Sequence, residues 1–146
     1  MTMENLLISA CFLGVSCRYD GVSKPLPPQI LENLKAKYHL IPVCAEIFGG
    51  LSTPREPAER VGEKVLTQSG KDVTAAYQKG AAEVLRLANF FDCRKALLKE
   101  KSPSCGAGLI HDGSFSGGLR PGNGVTAALL MENGIAVFGE SDIEKL

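Results

Sequence analysis

Neither sign of charge is in excess in this chain, whose 16 basic and 16 acidic residues leave a formal net charge of zero. A general nucleic-acid coat needs a basic surplus, so that class is set aside, although a nucleotide or a local RNA contact stays compatible. The apolar stretch from Leu6 to Leu13 is too short to span a bilayer. Glu4 precedes it where a signal peptide would carry positive charge, and no small-residue cleavage site follows cleanly. The expectation is a cytoplasmic protein with no membrane partner. There is no C-x2-C pair and there are two histidines, which argues against a zinc ribbon or finger. A redox C-x-x-C and the ferredoxin spacing are missing as well. No internal repeat, low-complexity segment or domain boundary interrupts the chain.

What is present fits one domain over residues 1–146, and 45% hydrophobic residues can bury a core without staples. Five cysteines, an odd number, in a reducing compartment point away from a disulfide framework. They read either as metal-binding or catalytic thiols or as small buried hydrophobes.

Periodicity places the elements. Leu6–Phe12 is a continuous apolar run of the kind a doubly covered parallel strand shows. Pro27 and Pro28 open a helix carrying Ile30, Leu31, Leu34 and Tyr38, and Leu40–Cys44 is a second strand. Between Ala45 and Gly70 glycines and prolines enforce loop, with Lys64–Thr67 as a short strand. Asp72 caps the clearest helix, whose apolar face runs from Val73 through Tyr77, Gly80, Ala81 and Val84 to Ala88. Lys95–Leu98 is the third main strand. The stretch from Ser102 to Gly124, with seven glycines and two prolines, reads as loop with a hairpin around Ile110–Phe115. A helix over Val125–Glu132 stops at Asn133-Gly134, and Ile135–Phe138 is the last strand. Strands separated by helices predict an α/β, three-layer fold with a mostly parallel sheet.

Cys11 and Cys44 then close predicted strands, and Cys105 lies in the loop after a third. In a parallel sheet those loops share the carboxyl edge, so three thiols distant in sequence converge there. Cys17 lies in the first of these loops and can approach them. Cys93 precedes its strand and belongs at the opposite edge, roughly 17 Å away along five residues. Converging thiolates suit soft or borderline metals, iron–sulfur clusters among them.

Ordered blocks along nearly the whole chain resemble a known family. They are Ile8-Ser9-Ala10-Cys11-Phe12-Leu13-Gly14, Arg18-Tyr19-Asp20-Gly21, Cys44-Ala45-Glu46, and Gly49-Gly50-Leu51-Ser52-Thr53-Pro54-Arg55. Gly70-Lys71-Asp72-Val73-Thr74, Lys99-Glu100-Lys101-Ser102-Pro103-Ser104-Cys105-Gly106 and Asp112-Gly113-Ser114-Phe115 follow in register. The chain is similar to the thiouracil desulfurases, departing from them at Ala45, where a proline is usual. The resemblance implies a [4Fe-4S] cluster on Cys11, Cys44 and Cys105, with Cys17 as the alternative to Cys44. One iron would lack a protein ligand and could take a soft thiocarbonyl sulfur. The implied reaction is non-redox hydrolytic desulfuration of thiouracil or a thiouridine nucleotide, and the implied partner is a small thiolated base or nucleotide.

The same resemblance implies that Glu46 is the general base and that Ser102 positions the water or relays its proton. Taken alone, Glu46 reads as a carboxylate capping the next turn and Ser102 as a turn residue before Pro103. Ser104 reads as a turn residue or as a hydrogen-bond donor to a cluster sulfur. Gly117–Gly124 leads into a helix, an arrangement that either receives a phosphate or forms a flexible lid. Arg18, Arg55 and Arg120 read as anion partners or as surface charges, and His39 and His111 as structural residues. Two other functions share these features: a cysteine-ligated iron–sulfur protein without catalysis, and a sulfurtransferase carrying a persulfide on Cys105.

Overall fold

In a computed structural model of the protein, which describes residues 3–146, the apolar run at the start divides in two. Glu4–Ser9 forms β1, and Ala10–Leu13 turns off it as a single 3-10 turn closed by Gly14 at φ 97°. Periodicity cannot separate strand from turn in an unbroken apolar run, because both bury every residue. Pro28 opens α1 (Pro28–Lys37), where its missing N–H is harmless. Tyr38, expected on that helix, is instead the first residue of β2 (Tyr38–Val43).

The region between Ala45 and Gly70 contains more structure than its glycines and prolines suggest. Ala45–Phe48 is a one-turn helix, α2, and Ala58–Val61 (β3) pairs antiparallel with Lys64–Thr67 (β4). The N-cap of α3 (Thr74–Phe90) is Val73 with no side-chain cap, one residue later than expected. Asp72 instead makes a turn just before the helix by accepting the Thr74 N–H at 2.9 Å, and the helix buries Tyr77, Gly80, Ala81, Val84 and Ala88. After β5 (Lys95–Leu97), a small hairpin pairs β6 (Leu109–His111) with β7 (Leu119–Pro121). The chain closes with α4 (Val125–Glu132), β8 (Ala136–Phe138) and a 3-10 segment over Glu140–Lys145.

The central sheet has the order β2-β1-β5-β8 with every pair parallel. Along β1, side chains alternate between two cores as the period of two requires. Leu7 packs with Val84, Ala88, Ala96 and Leu130 on one face, and Leu6 and Ile8 pack with Phe12, Leu34 and Tyr38 on the other. The result is a three-layer α/β fold. Successive strands are added to one side of β1 and then to the other, so β1 and β5 flank the point where the order reverses. Ligands of such sheets bind in the crevice at that point, outside the carboxyl ends of the strands.

One close approach sets the geometry beside that crevice. A methyl group at Gly80 of α3 would fall onto the Ala45 carbonyl, and one at Gly49 onto the Ala76 carbonyl. Glycine at both positions lets α2 lie directly against α3. Among the described residues no helix is long and apolar enough to cross a membrane.

Candidate active site

At the carboxyl edge the chain lines a cavity of about 400 Å³, within the size range of small-molecule sites. Cys11, Cys17, Cys44 and Cys105 all reach its lining, together with Glu46 and Ser102. Cys93 does not: it is buried at the amino edge of β5 among Leu7, Val84 and Leu130. Its thiol is pushed up mainly by that burial.

Each thiol arrives by a different local route. Cys11 sits in the 3-10 turn just beyond β1, not within the strand as expected. Cys44 stands at the N-cap position of α2. Cys105 is fixed by a serine turn, in which the Ser102 Oγ accepts the N–H groups of Ser104 at 3.0 Å and Cys105 at 3.1 Å. Cys17 shares the cavity lining with Cys11 and Cys44, and the Cys44 Sγ approaches the Cys17 carbonyl at 3.9 Å. The neighbouring Cys17 thiol holds the Cys11 thiol below its ordinary range despite burial. Cys17 is raised in return, and Cys44 is pushed far up by its bond to Cys17 and by burial. Burial, with the Glu46 carboxylate nearby, pushes Cys105 up to about 12.

Glu46 occupies the first turn of α2 rather than an extended strand end, because the chain becomes helical immediately after Cys44. It still faces the cavity, and it is ion-paired to Arg55. Both contacts from Arg55, through Nε at 3.0 Å and through Nη2, go to Oε2, which leaves Oε1 without an arginine contact. The same guanidinium donates to the carbonyls of Cys17 at 3.2 Å and Ser52 at 3.0 Å. Arg55 therefore ties the Cys17 loop, the Glu46 carboxylate and the 52–55 loop together, a role its sequence context did not signal. Tyr77, buried beneath, is raised by burial and then by Glu46.

The other expectations divide. Arg18 lines the cavity, paired to Asp20 at 3.4 Å and lying over the Tyr19 ring, whereas Arg120 is absent from the lining. The start of α4 is not a phosphate receiver. Its Val125 N–H donates to the Pro103 carbonyl, and those of Thr126 and Ala127 donate to Ser104, so loop carbonyls already occupy these donors. Ser104 is fully buried, with its hydroxyl against that of Thr126 at 2.8 Å. Asp20 and Asp112 each make a turn, accepting the N–H two residues on. His39 is exposed on β2, but His111 lines the cavity, which its isolation in sequence hid.

The arrangement is a pocket of soft donors beside an ion-paired carboxylate. Among the described residues, no group of three or more His, Cys, Asp or Glu is arranged to hold one metal ion. The thiols border a space instead of closing on a point.

Comparison with known proteins gives the following. The family model of 2-thiouracil desulfurase matches residues 6–142. An uncharacterized Bacillus subtilis (strain 168) protein, YbbK, is 40% identical over 97% of this chain and 99% of its own length. The solved structure of the [4Fe-4S]-dependent thiouracil desulfidase TudS superposes with a TM-score of 0.93 at 48% identity, covering 98% of this chain and 95% of that one.

Proposed function

The chain belongs to the 2-thiouracil desulfurase family, and from that premise we propose that it removes sulfur from thiolated uracil by hydrolysis, with a [4Fe-4S] cluster as cofactor. The observation that carries this reading is the meeting of thiols from three separate strand ends with an ion-paired carboxylate in one cavity. The donor set fits the cofactor, since the ligands it offers are thiols, the soft donors that iron–sulfur clusters take. Cys11, Cys44 and Cys105 hold the cluster in this proposal, supplied by the turn after β1, the end of β2 and the loop after β5. When bound, such a cluster supplies a soft Lewis acid suited to a thiocarbonyl sulfur.

The chain's own residues handle the water. Arg55 fixes Glu46 through Oε2, and Oε1 is the oxygen that takes a proton from water as it attacks the ring carbon. Ser102 uses its oxygen to accept two backbone N–H groups, so its hydroxyl hydrogen remains to donate into the cavity. It orients the water or returns the proton. The exchange replaces C=S by C=O, consumes one water and releases one sulfide, and no electron changes hands. Thiouracil and the thiouridine nucleotides are the substrate class.

Anaerobic reconstitution with iron and sulfide tests the proposal, followed by assay of thiolated bases and nucleotides for the oxygen-bearing product. A brown protein that releases sulfide and uracil-type product is the expected result. A brown protein inert toward every thiolated pyrimidine would leave a cluster-binding protein without catalysis. A colourless, active one would show that the hydrolysis proceeds without the cluster, with water activated by the chain's own residues.

A further inference from the structure

The cavity has a second wall, built not by the sheet but by the two hairpins, which contribute Pro57, Ala58, Glu59, His111 and Phe115. Phe115 has a left-handed backbone, φ 58°. Asp92 shares that conformation in the turn after α3, where an aspartate tolerates it, but a phenylalanine there is strained. Such a placement persists only when its surroundings hold it, and it is a pointer to function.

What holds it is identifiable. Glu59 on β3 is 8% exposed, and its Oε1 accepts the N–H of Gly113 at 2.9 Å and of Phe115 at 3.1 Å. Gly113, at φ 92°, lies where a side chain would press on the Arg60 carbonyl at 2.8 Å. The turn between β6 and β7 is thus clamped to β3 by a buried carboxylate. Among the described residues, the aromatic and cation–π pairs are Phe90 with Phe91, Arg18 with Tyr19, and Lys95 with Tyr38. None of them engages the Phe115 ring. Beside it, His111 lines the same wall; its Nδ1 is buried out of a ligand's reach, whereas its Nε2 is accessible and makes no hydrogen bond among the described residues.

We infer that this hairpin wall is the pyrimidine-binding subsite, in which Phe115 stacks on the substrate ring and His111 hydrogen-bonds a heteroatom on its edge. Glu59 is a positioning residue that holds Phe115 in place. The inference rests on the desulfurase reading and adds how the ring is recognised. A flat ring with polar edges matches a flat π face beside a nitrogen that lacks a partner. The thiols belong to the sheet-edge wall of the same cavity, so a ring held by the hairpins can turn its sulfur toward them.

The test uses the iron-loaded protein and two readouts, the KM for thiouracil and the dissociation constant for uracil, the product, by calorimetry without turnover. Phe115→Leu raises both by roughly tenfold or more, with kcat within about threefold and iron content unchanged. Phe115→Tyr, which keeps the ring, stays within about threefold of wild type. His111→Leu raises both by about threefold to tenfold, the scale of one lost hydrogen bond. Glu59→Ala raises both, whereas Glu59→Gln, which keeps a carbonyl oxygen for the two N–H groups, stays close to wild type. Unchanged constants in Phe115→Leu, equal losses in the Tyr and Leu variants, or a wild type that does not bind uracil would overturn the subsite. A wild type that turns over no thiolated pyrimidine would overturn the desulfurase reading instead, while the uracil titrations still decide the stacking.

Discussion

Cys93 and Cys11 are about equally hidden, 6% and 5% exposed, yet they occupy opposite edges of the sheet and different chemistry. Around Cys93 are apolar side chains of α3, β1 and α4. Around Cys11 are the Cys17 thiol and, through the cavity they share, Cys44, Cys105, Glu46 and Arg18. Burial therefore does not separate a structural thiol from a functional one. What separates them is whether the neighbours are polarisable and charged, and that follows from which end of a strand the residue occupies.

The largest effect should come from the thiols themselves. Alanine at Cys11, Cys44 or Cys105 is expected to abolish stable iron binding and desulfuration, both measured after anaerobic reconstitution. Cys93→Ala should keep full iron content and lose only about 1 kcal/mol of unfolding free energy, as a small cavity in an apolar core does. Full iron in the Cys44 variant would break the comparison in a defined way and transfer the third ligand position to Cys17.

Chemistry can then be separated from binding at the same edge. Glu46→Gln keeps volume and hydrogen bonding but loses the basic oxygen, so turnover should fall roughly 100-fold while iron content stays near wild type. Loss of iron in that variant would instead give Glu46 a structural or ligating role. Gly80→Ala acts through packing alone. Its methyl must displace the Ala45 carbonyl, so a loss of about 1–3 kcal/mol in denaturant unfolding is expected. Iron retention should weaken too, because α2 carries Cys44 at its cap and Glu46 in its first turn.

The smallest effect concerns an ion pair at the carboxyl edge, Lys99 with Glu140, whose lysine reaches the cavity lining. Burial works against ionised Glu140, but Lys99 at 2.6 Å and the Glu100 N–H at 2.7 Å outweigh it and lower its pKa. A depressed carboxylate stabilises the fold above its ordinary pKa, and that contribution disappears as pH falls through the lowered value. Glu140→Gln should therefore cost under about 1 kcal/mol at neutral pH and nothing at strongly acidic pH, read from denaturant midpoints. An equal loss at both extremes would mean that packing rather than charge is at work.

Much of this comparison is legible in the residues. The continuous apolar run of β1 and the 3.6-residue face of α3 mark a buried strand and a helix. Strand order then assigns Cys11, Cys44 and Cys105 to one edge and Cys93 to the other. Between Ala45 and Gly70 the strand Lys64–Thr67 is legible and is β4, whereas α2 and β3 are not. The helix α2 is a single turn, and β3 carries Glu59 and Arg60 at its centre, so neither shows an apolar period. The glycine-rich approach to α4 looked open to phosphate only because sequence does not reveal that the carbonyls of Pro103 and Ser104 reach the same donors.

By itself, then, the sequence determined the layer architecture, the edge at which the thiols gather and the family to which the chain belongs. Hydrophobic periodicity acts between residues two to four apart, and the family's ordered blocks can be read along the chain. Only the tertiary structure decided that Arg55 binds Glu46 and the Cys17 carbonyl, that Cys17 shares one cavity with Cys11 and Cys44, and that Glu59 clamps Phe115 into the cavity wall. Those contacts join residues 6 to 56 positions apart through irregular loops. No repeating pattern encodes such pairs, and they exist only once the sheet has brought the loops together.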